Sequence, residues 1–529
     1  MIFQRTLDAE PTDALALEGR GLAAWWLDDP ATVFRARTEA FRLHRERGDD
    51  RAAGRVAVWL AWDHDAFHGD YSVASGWLQR GRELLVAHPD SREFAWLSVR
   101  SAAFALLDNG NPEEALRYAG DAITAARACG SVDHEMIGRA LRGFALATTG
   151  QVGQGMQELE AVNTAVLAGE LRDPLAIGLA SCYLISACDR VREYDRAAQW
   201  CARLREFCAQ WHFRVLFAVC RTQYAAACIW NGAWAEAETE LTQASHELQA
   251  SRPGMIAEAL VRLGELRRRQ GRLDESQALF DRCGGHPLAV VGRAAVALDR
   301  GAFDVAAQLA ERYLRSLKPH NRTERAAALE VLVRASVALG YPDGARTALA
   351  DLEAVARDAD TRALHGAALL SAGLVAIASD DAQAARRHCE DAVDHFSRCG
   401  ATFERAMAGL ELAEVHAALG HHDRATSELD AVVALLAPMH AACALERAAT
   451  LRARLHPPAR QARTPESPLT RRERDVLRLI AEGCGNASIA SQLRISEHTV
   501  HRHVANMFVK LGVPSRSAAV AAASRLDLL

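Results

Sequence analysis

The chain contains very little lysine and none of the short motifs that mark common enzymes. Only two of its 529 residues are lysines, Lys318 and Lys510, and the other 60 basic side chains are arginines. No phosphate-binding GxxxxGK[ST] loop, no HExxH and no GxSxG sequence occurs. We therefore predict that the protein is not an enzyme and that it binds no nucleotide or other cofactor.

Long apolar runs and paired cysteines are also missing. Residues 366–379 form an uncharged, mostly apolar stretch of 14 residues, which is short of the roughly 20 that a membrane-spanning helix needs. The first residues lack the charged and then apolar plan of a secretory signal. None of the 12 cysteines forms a CxxC pair, which argues against a metal site among them. We expect no membrane partner.

The sequence does contain a repeat of about 40 residues. Turn residues, mostly glycine, recur at intervals of 41, 41, 40, 42, 40, 39, 30, 39, 40 and 40. A small residue stands five positions after nearly every one of them, which suits a place where two helix backbones approach closely. Each repeat is therefore predicted to be a helix, a turn and a second helix. The turn residues are Asp28, Gly69, Gly110, Gly150, Arg192, Gly232, Gly271, Gly301, Gly340, Asp380 and Gly420.

This pattern resembles the tetratricopeptide (TPR) repeat, most clearly at Leu263-Gly264, Gly271, Ser276 and Phe280. The resemblance implies an all-α fold in which helix pairs stack into a right-handed solenoid over residues 1–455. An irregular helical domain is the alternative, but a period that persists for over 400 residues favours the solenoid. Because solenoids offer extended concave surfaces, we expect a small ligand or a protein in the groove.

The tryptophans allow two interpretations. All ten lie between Trp25 and Trp234. They could line a binding site with aromatic rings, or they could be packing residues at bulky positions of the repeat. The second interpretation is favoured.

Two histidines also allow two interpretations. His64 and His68 are four residues apart beside Asp63 and Asp65, a spacing that a metal ion could use. Polar residues are normal just before a turn such as the one at Gly69, so no metal site is predicted.

The character of the chain changes after residue 455. Residues 456–468 contain four prolines and little apolar content, which predicts an extended linker. Residues 469–529 contain nine basic and five acidic side chains, a balance of +4. The rest of the chain has 53 basic and 62 acidic side chains, so the formal charge of −5 conceals a basic module on an acidic body.

Four helices are predicted in residues 469–529. The first begins with a capping box of Thr470 and Glu473, and the second is capped by Asn486 and runs through Ile489. Ser496 caps the third helix, and the fourth covers residues 515–524. Helices two and three, joined by residues 494–495, form a helix-turn-helix. Further residues expected to support it are Val500, His503, Val504 and Leu511.

This module is similar to the LuxR-type helix-turn-helix family. The matching residues are Leu469-Thr470-Arg471-Arg472-Glu473, Val476-Leu477, Gly483, Asn486, Ile489-Ala490, Leu493, Ile495-Ser496, Thr499-Val500, His503, Lys510-Leu511-Gly512 and Ser515-Arg516. The resemblance implies that the third helix reads double-stranded DNA and that the fourth helix pairs two modules into a homodimer. By position, the residues that face bases would be His501, Arg502 and Ala505, and those near phosphates would be Thr499, Lys510 and Arg516.

A helical-repeat body followed by this module is similar to the large ATP-dependent LuxR-type activators, which include the maltose-regulon activator. The nucleotide-binding loop of that family has no counterpart here, and no alternating strand–helix pattern predicts a receiver domain. We therefore expect a cytoplasmic, nucleoid-associated bacterial transcription regulator that is gated by a ligand or protein in the solenoid. RNA polymerase or another protein is a further candidate partner. The alternative is a protein-binding scaffold that the helix-turn-helix merely localises to DNA.

Overall fold

The computed structural model describes residues 2–211, 214–455 and 469–525. The chain divides into two compact units, Met1–Leu455 and His456–Leu529, which we call the solenoid and the HTH domain. Within the described ranges all regular structure is helical. None of the helices in these ranges is both long and apolar enough to span a membrane. The predicted linker, residues 456–468, lies outside the described residues.

The solenoid is a series of antiparallel helix pairs. Its α-helices are α1 (Ile2–Ala9), α2 (Ala14–Trp26), α3 (Pro30–Glu46), α4 (Asp50–Asp63), α5 (Tyr71–Leu85), α6 (Arg92–Ala103), α7 (Pro112–Ala128), α8 (Val132–Thr148), α9 (Val152–Leu167), α10 (Pro174–Arg190), α11 (Tyr194–Trp211), α12 (Arg214–Asn231), α13 (Trp234–Ser251), α14 (Ile256–Arg269), α15 (Leu273–Arg282), α16 (Pro287–Asp299), α17 (Phe303–Ser316), α18 (Ala326–Ala338), α19 (Pro342–Ala359), α20 (Arg362–Ala378), α21 (Ala382–Arg398), α22 (Thr402–Ala418), α23 (His422–Leu436) and α24 (Ala442–Leu455). Two π-helical turns, His64–His68 and Phe104–Asp108, follow α4 and α6, and short 3-10 turns occupy Pro253–Met255, Thr323–Arg325 and Ala437–Met439.

The eleven predicted turn residues all adopt the left-handed backbone conformation. Their φ angles range from 56° at Gly110 to 96° at Gly150. Glycine reaches this region without steric cost, which explains why it recurs at the turn. Asp28, Arg192 and Asp380 adopt the same conformation, with φ of 58°, 61° and 58°. The predicted helix–turn–helix repeat is confirmed.

Small residues mark the crossings of the helix pairs, as the repeat predicts. The clearest case is the contact of α8 with α9. A Cβ atom added at Gly155 would overlap the carbonyl oxygen of Gly143 and lie 2.8 Å from the amide nitrogen of Ala147. The two backbones therefore touch, and even a methyl group has no room between them.

Successive turns of the superhelix lie against each other. Several main-chain oxygens near the turn residues accept hydrogen bonds from residues 170 to 211 positions further along the chain. These bonds are Asn321 Nδ2 to Gly110 O (3.3 Å), Arg322 N to Thr148 O (3.0 Å), Thr361 Oγ1 to Val191 O (2.9 Å) and Thr402 Oγ1 to Asn231 O (2.8 Å). One apolar core also contains residues from two successive turns of the superhelix. It includes Leu141 and Val191 from the earlier turn and Leu329, Leu352 and Leu364 from the later one. The solenoid is thus a compact superhelix with stacked turns.

The N-terminal tryptophans are packing residues. Trp25 is buried, and its ring centroid lies 4.9 Å from that of Trp26 and 5.3 Å from that of Trp62. Trp62 and Trp96 are buried as well, 5.8 Å apart. These edge and tilted contacts between rings are the arrangements that stabilise aromatic cores, in agreement with the favoured interpretation.

Candidate nucleic-acid interface

The HTH domain is a small helical domain with its own apolar core. Its helices are α25 (Arg471–Ala481), α26 (Asn486–Leu493), α27 (Glu497–Leu511) and α28 (Arg516–Arg525). Its buried apolar residues come from all four helices and from the segment before α25: Leu469, Val476, Leu477, Ile480, Ile489, Ala490, Val500, Val504, Met507, Ala519 and Ala523. This core holds α26 and α27 as a helix-turn-helix.

The start of α25 is fixed by the predicted capping box. Thr470 Oγ1 accepts a hydrogen bond from the amide of Glu473 at 3.2 Å, and Glu473 Oε2 accepts one from the amide of Thr470 at 2.8 Å. The two residues thereby satisfy two main-chain donors that the helix itself cannot pair. This prediction is confirmed.

The start of α26 corrects the prediction for Asn486. The residue before the helix is Gly485, with φ −75° and ψ 164°, and Asn486 is the first helical residue, so the predicted Asn486 cap is wrong. The physical reason is that glycine takes the extended capping conformation readily. The Asn486 side-chain oxygen instead accepts a hydrogen bond from the guanidinium of Arg516. Asn486 keeps a structural role, because this bond ties α26 to α28.

The turn of the helix-turn-helix depends on arginines. Arg494 closes α26 with a φ of 53°, the left-handed conformation that usually belongs to glycine. The amide of Ile495 donates to Ala490 O at 3.0 Å, and Arg472 donates to Leu493 O at 2.6 Å. These bonds hold the last carbonyls of α26, and so they fix the angle at which α27 leaves the turn.

Helix α27 buries one face and presents the other. Val500 and Val504, which were expected to support the domain, are buried, and so is Met507. Among the residues expected to face bases, His501 and Ala505 are exposed and Arg502 is half-buried. Their roles toward DNA stay predictions. His503, which was also expected to support the domain, is half-buried.

The residues expected near phosphates have different surroundings. Thr499 follows the cap of α27, where its amide donates to Ser496 Oγ at 3.1 Å and the two hydroxyls lie 2.8 Å apart. Arg516 is bonded to Asn486, as described above. Lys510 Nζ donates to both carboxylate oxygens of Glu473 at 2.8 Å. Phosphate contacts of these residues remain predictions, and Lys510 would have to share its charge between DNA and Glu473.

Two other exposed residues of α27, His498 and Val509, are not among the residues expected to contact DNA. His498 stands three residues before His501 and seven before Ala505, so it lies on the same exposed face. Val509 is 82% exposed and continues that face by one more turn. Spacing by three and four along the helix is the signal that could have identified both.

The Glu473–Lys510 pair joins α25 to α27. Burial raises the pKa of the Glu473 carboxyl, whereas the hydrogen bonds from Lys510 and Thr470 lower it. The second effect is the larger, so the pKa lies below its ordinary value of 4.5. A carboxyl group with a depressed pKa stabilises the fold above its unfolded pKa and loses that contribution as pH falls toward the folded pKa. The pair therefore stabilises the domain at neutral pH and not in acid.

We expect Glu473→Gln to destabilise the HTH domain by about 1–2 kcal/mol at pH 7, because the amide keeps the cap but loses the charge opposite Lys510. The difference from wild type should shrink as pH falls below about 4.5. Urea unfolding of residues 456–529, followed by circular dichroism between pH 3 and 7, measures both. The exposed Glu482→Gln is the matched control, and an equal effect of the two substitutions would contradict the assignment.

Comparison with known proteins identifies the domain. Residues 467–523 match the family described as "Bacterial regulatory proteins, luxR family". The C-terminal domain is a LuxR-type helix-turn-helix. A relative in Mycobacterium tuberculosis (strain ATCC 25618 / H37Rv), a predicted HTH-type transcriptional regulator, is 47% identical over 57 residues. The match covers 11% of this chain and 6% of that protein.

Two of the solved structures that resemble the chain are complexes. A Rap protein complexed with competence and sporulation factor covers 70% of this chain and 99% of its own, with a TM-score of 0.42 and 12% identity. The match to the Cut9–Hcn1 hetero-tetramer of the APC/C covers 86% of this chain and 96% of that chain, with a TM-score of 0.46 and 13% identity. These likenesses concern the fold alone.

Proposed function

We propose that the protein is a sequence-specific transcription regulator in which α27 enters the major groove of DNA and the solenoid controls that binding. The observation that supports the proposal is the LuxR-type domain. Its helix α27, the second helix of the helix-turn-helix, exposes His501 and Ala505 on the side opposite its buried residues. An exposed helix with small and basic residues is what a major groove accommodates. The balance of +4 in residues 469–529 suits the phosphate backbone.

The proposed contacts divide into two kinds. We propose that His501, Arg502 and Ala505 of α27 contact base edges. Thr499, Lys510 and Arg516 would contact phosphate oxygens. Helix α28 would pair two domains across a two-fold DNA site, so that each domain reads one half-site. Two protein chains for each bound duplex, measured by analytical ultracentrifugation, are the expected stoichiometry.

Arg502→Ala should weaken binding to a selected DNA site by about 1–3 kcal/mol, or roughly 5- to 150-fold, and relax the preference at the contacted base. Fluorescence anisotropy at fixed salt, with the selected site and a scrambled duplex, measures both effects. Arg478→Ala removes the same charge from an exposed position on α25 and is the matched control. If Arg502→Ala weakens both duplexes equally, or no more than Arg478→Ala does, the role assigned to α27 is wrong.

The solenoid offers a place for an effector. Where the turn after α10 meets the start of α20, a cleft of about 990 Å³ is lined by Arg192, Tyr194, Trp200, Thr361 and Arg398 among others. Clefts of this size accommodate small ligands. Since its walls come from two superhelical turns, a ligand there would contact both and could change how they stack.

Gating is tested by comparing the full chain with residues 456–529 on the same DNA. The isolated HTH domain has its own core and serves as the ungated reference. We expect the two to differ in affinity, and the difference to change when cell extract supplies an effector. Equal affinity under all conditions would contradict gating and favour the alternative, a scaffold that the HTH domain localises to DNA.

A further inference from the structure

The end of α4 carries an irregular turn. Residues His64–His68 form a π-helical turn, and Gly69 follows it with a φ of 69°. Single π-helical turns are rare and often occur at functional sites. Here the left-handed glycine reverses the chain, and the amide of Asp70 donates to the carbonyl oxygen of His64 at 3.1 Å. This bond brings the Asp70 side chain back over the two histidines.

We propose that His64, His68 and Asp70 form a binding site for a divalent transition metal ion, with Zn²⁺ as the representative ion. Asp70 Oδ2 lies 3.8 Å from His64 Nδ1 and 3.6 Å from His68 Nδ1. One ligand atom from each residue lies within 4.8 Å of the others. Ligand atoms around a tetrahedral zinc ion are about 3.3 Å apart, so small side-chain adjustments bring all three onto one ion.

The donor set fits that class of metal. Two imidazole nitrogens and one carboxylate oxygen, with a fourth position open to water, are ligands that Zn²⁺ and related ions accept. Hard ions such as Mg²⁺ prefer oxygen ligands throughout, and a pair of imidazoles disfavours them. The proposed site therefore selects for the softer divalent ions.

The histidine rings are held in place before any ion arrives. The Phe34 ring stacks on His68 with centroids 4.7 Å apart and 10° between planes, and it also contacts His64 at 4.7 Å. His64 Nδ1 is buried and has no hydrogen-bond partner among the described residues. A buried ring nitrogen without a partner is unfavourable, and coordination would satisfy it.

The third ligand is Asp70, and not Asp63, the acid that precedes His64 in sequence. Asp63 is fully buried and its two carboxylate oxygens pair with Arg37 at 2.5 and 2.6 Å, so it faces the core. The spacing of His64 and His68 alone did not predict a metal site. What the sequence could not show is that the turn at Gly69 returns Asp70 to the same face.

The proposed site lies where two superhelical turns meet. The π-helical turn packs on Pro253–Met255, a contact so close that a Cβ atom at Gly254 would overlap the carbonyl oxygen of Asp65 and lie 2.8 Å from the amide of Gly69. An ion that braces residues 64–70 would stabilise this contact. We therefore expect Zn²⁺ to raise the melting temperature of the solenoid.

The test is a Zn²⁺ titration of the full-length chain after treatment with a chelator, monitored by competition with a chromophoric zinc ligand. We expect one site of micromolar affinity or better, and a loss of about tenfold or more in His64→Gln, His68→Gln and the isosteric Asp70→Asn. His320→Gln is the control, because His320 pairs with Glu113 at 2.9 Å and belongs to no cluster of three potential metal ligands among the described residues. Circular dichroism of the metal-free variants checks that each is folded.

Co²⁺ in place of Zn²⁺ distinguishes this site from the cysteines of the chain. Visible absorption typical of nitrogen and oxygen ligands, lost in His68→Gln and in Asp70→Asn, would support the proposal. Thiolate charge-transfer bands, binding that the three substitutions leave unchanged, or no binding at all would overturn it. The proposed DNA-binding function does not depend on the result.

Discussion

Replacing Arg252 by alanine should destabilise the solenoid by about 3–5 kcal/mol, one of the largest single effects that we expect. The Arg252 side chain is fully buried. It forms an ion pair with Asp28, donates to Trp25 O at 2.7 Å, and lies over the Phe67 ring at 4.0 Å. All three partners belong to the first two repeats, whereas Arg252 precedes α14.

Two costs add up in this variant. The Asp28 carboxylate and the Trp25 carbonyl lose their partner in a largely buried place, and polar groups left unpaired there cost more than the bond itself contributed. Truncation also leaves a cavity beside two aromatic rings that have lost a cation. Both costs fall on the contact between the first and second superhelical turns, so we expect these turns to separate before the rest of the solenoid unfolds.

Urea unfolding followed by tryptophan fluorescence measures this directly, since all ten tryptophans lie between Trp25 and Trp234. Arg300→Ala is the control, because Arg300 forms an exposed ion pair with Asp274, and exposed pairs contribute about 0–1 kcal/mol. If Arg252→Ala shifts the transition no more than Arg300→Ala does, the contact between turns is not a major source of stability.

The repeat could be predicted from sequence because its causes are local. A left-handed turn favours glycine and a close helix crossing requires a small residue, so both leave marks at fixed spacing. Even Arg192, a poor match to the turn position, adopted the expected φ. The stacking of superhelical turns on each other has no comparable signature in the sequence. The bond from Thr361 to Val191 joins residues 170 positions apart, and neither residue type indicates a partner.

The same distinction applies to the HTH domain and the proposed metal site. The Thr470–Glu473 capping box spans four consecutive residues and was predictable, whereas Glu473 and Lys510 are 37 positions apart and their pairing was not. Asn486 was assigned to the wrong helix position because Gly485 competes for it. For His64 and His68, the π-helical turn was the missing information, since nothing in the residue types predicts it.

The second large effect concerns Gly155, where even alanine should be costly. In Gly155→Ala the new methyl group would meet the backbone of α8 at Gly143 and Ala147, and main-chain atoms cannot rotate away as a side chain can. Helices α8 and α9 must move apart, which disturbs the core around Leu159 and Phe144. We expect a loss of about 2–3 kcal/mol, typical of an overpacked core.

Gly153, in the first turn of the same helix, is the matched control for Gly155→Ala. A Cβ atom at Gly153 meets nothing within 4 Å, so Gly153→Ala should be neutral or stabilising by up to about 1 kcal/mol through its better helix propensity. Urea midpoints of the two variants should therefore move in opposite directions from wild type, or Gly153→Ala should not move at all. Equal destabilisation of the two variants would contradict the backbone contact between α8 and α9 as the cause of the loss at Gly155, since a Cβ atom at Gly153 meets no such contact.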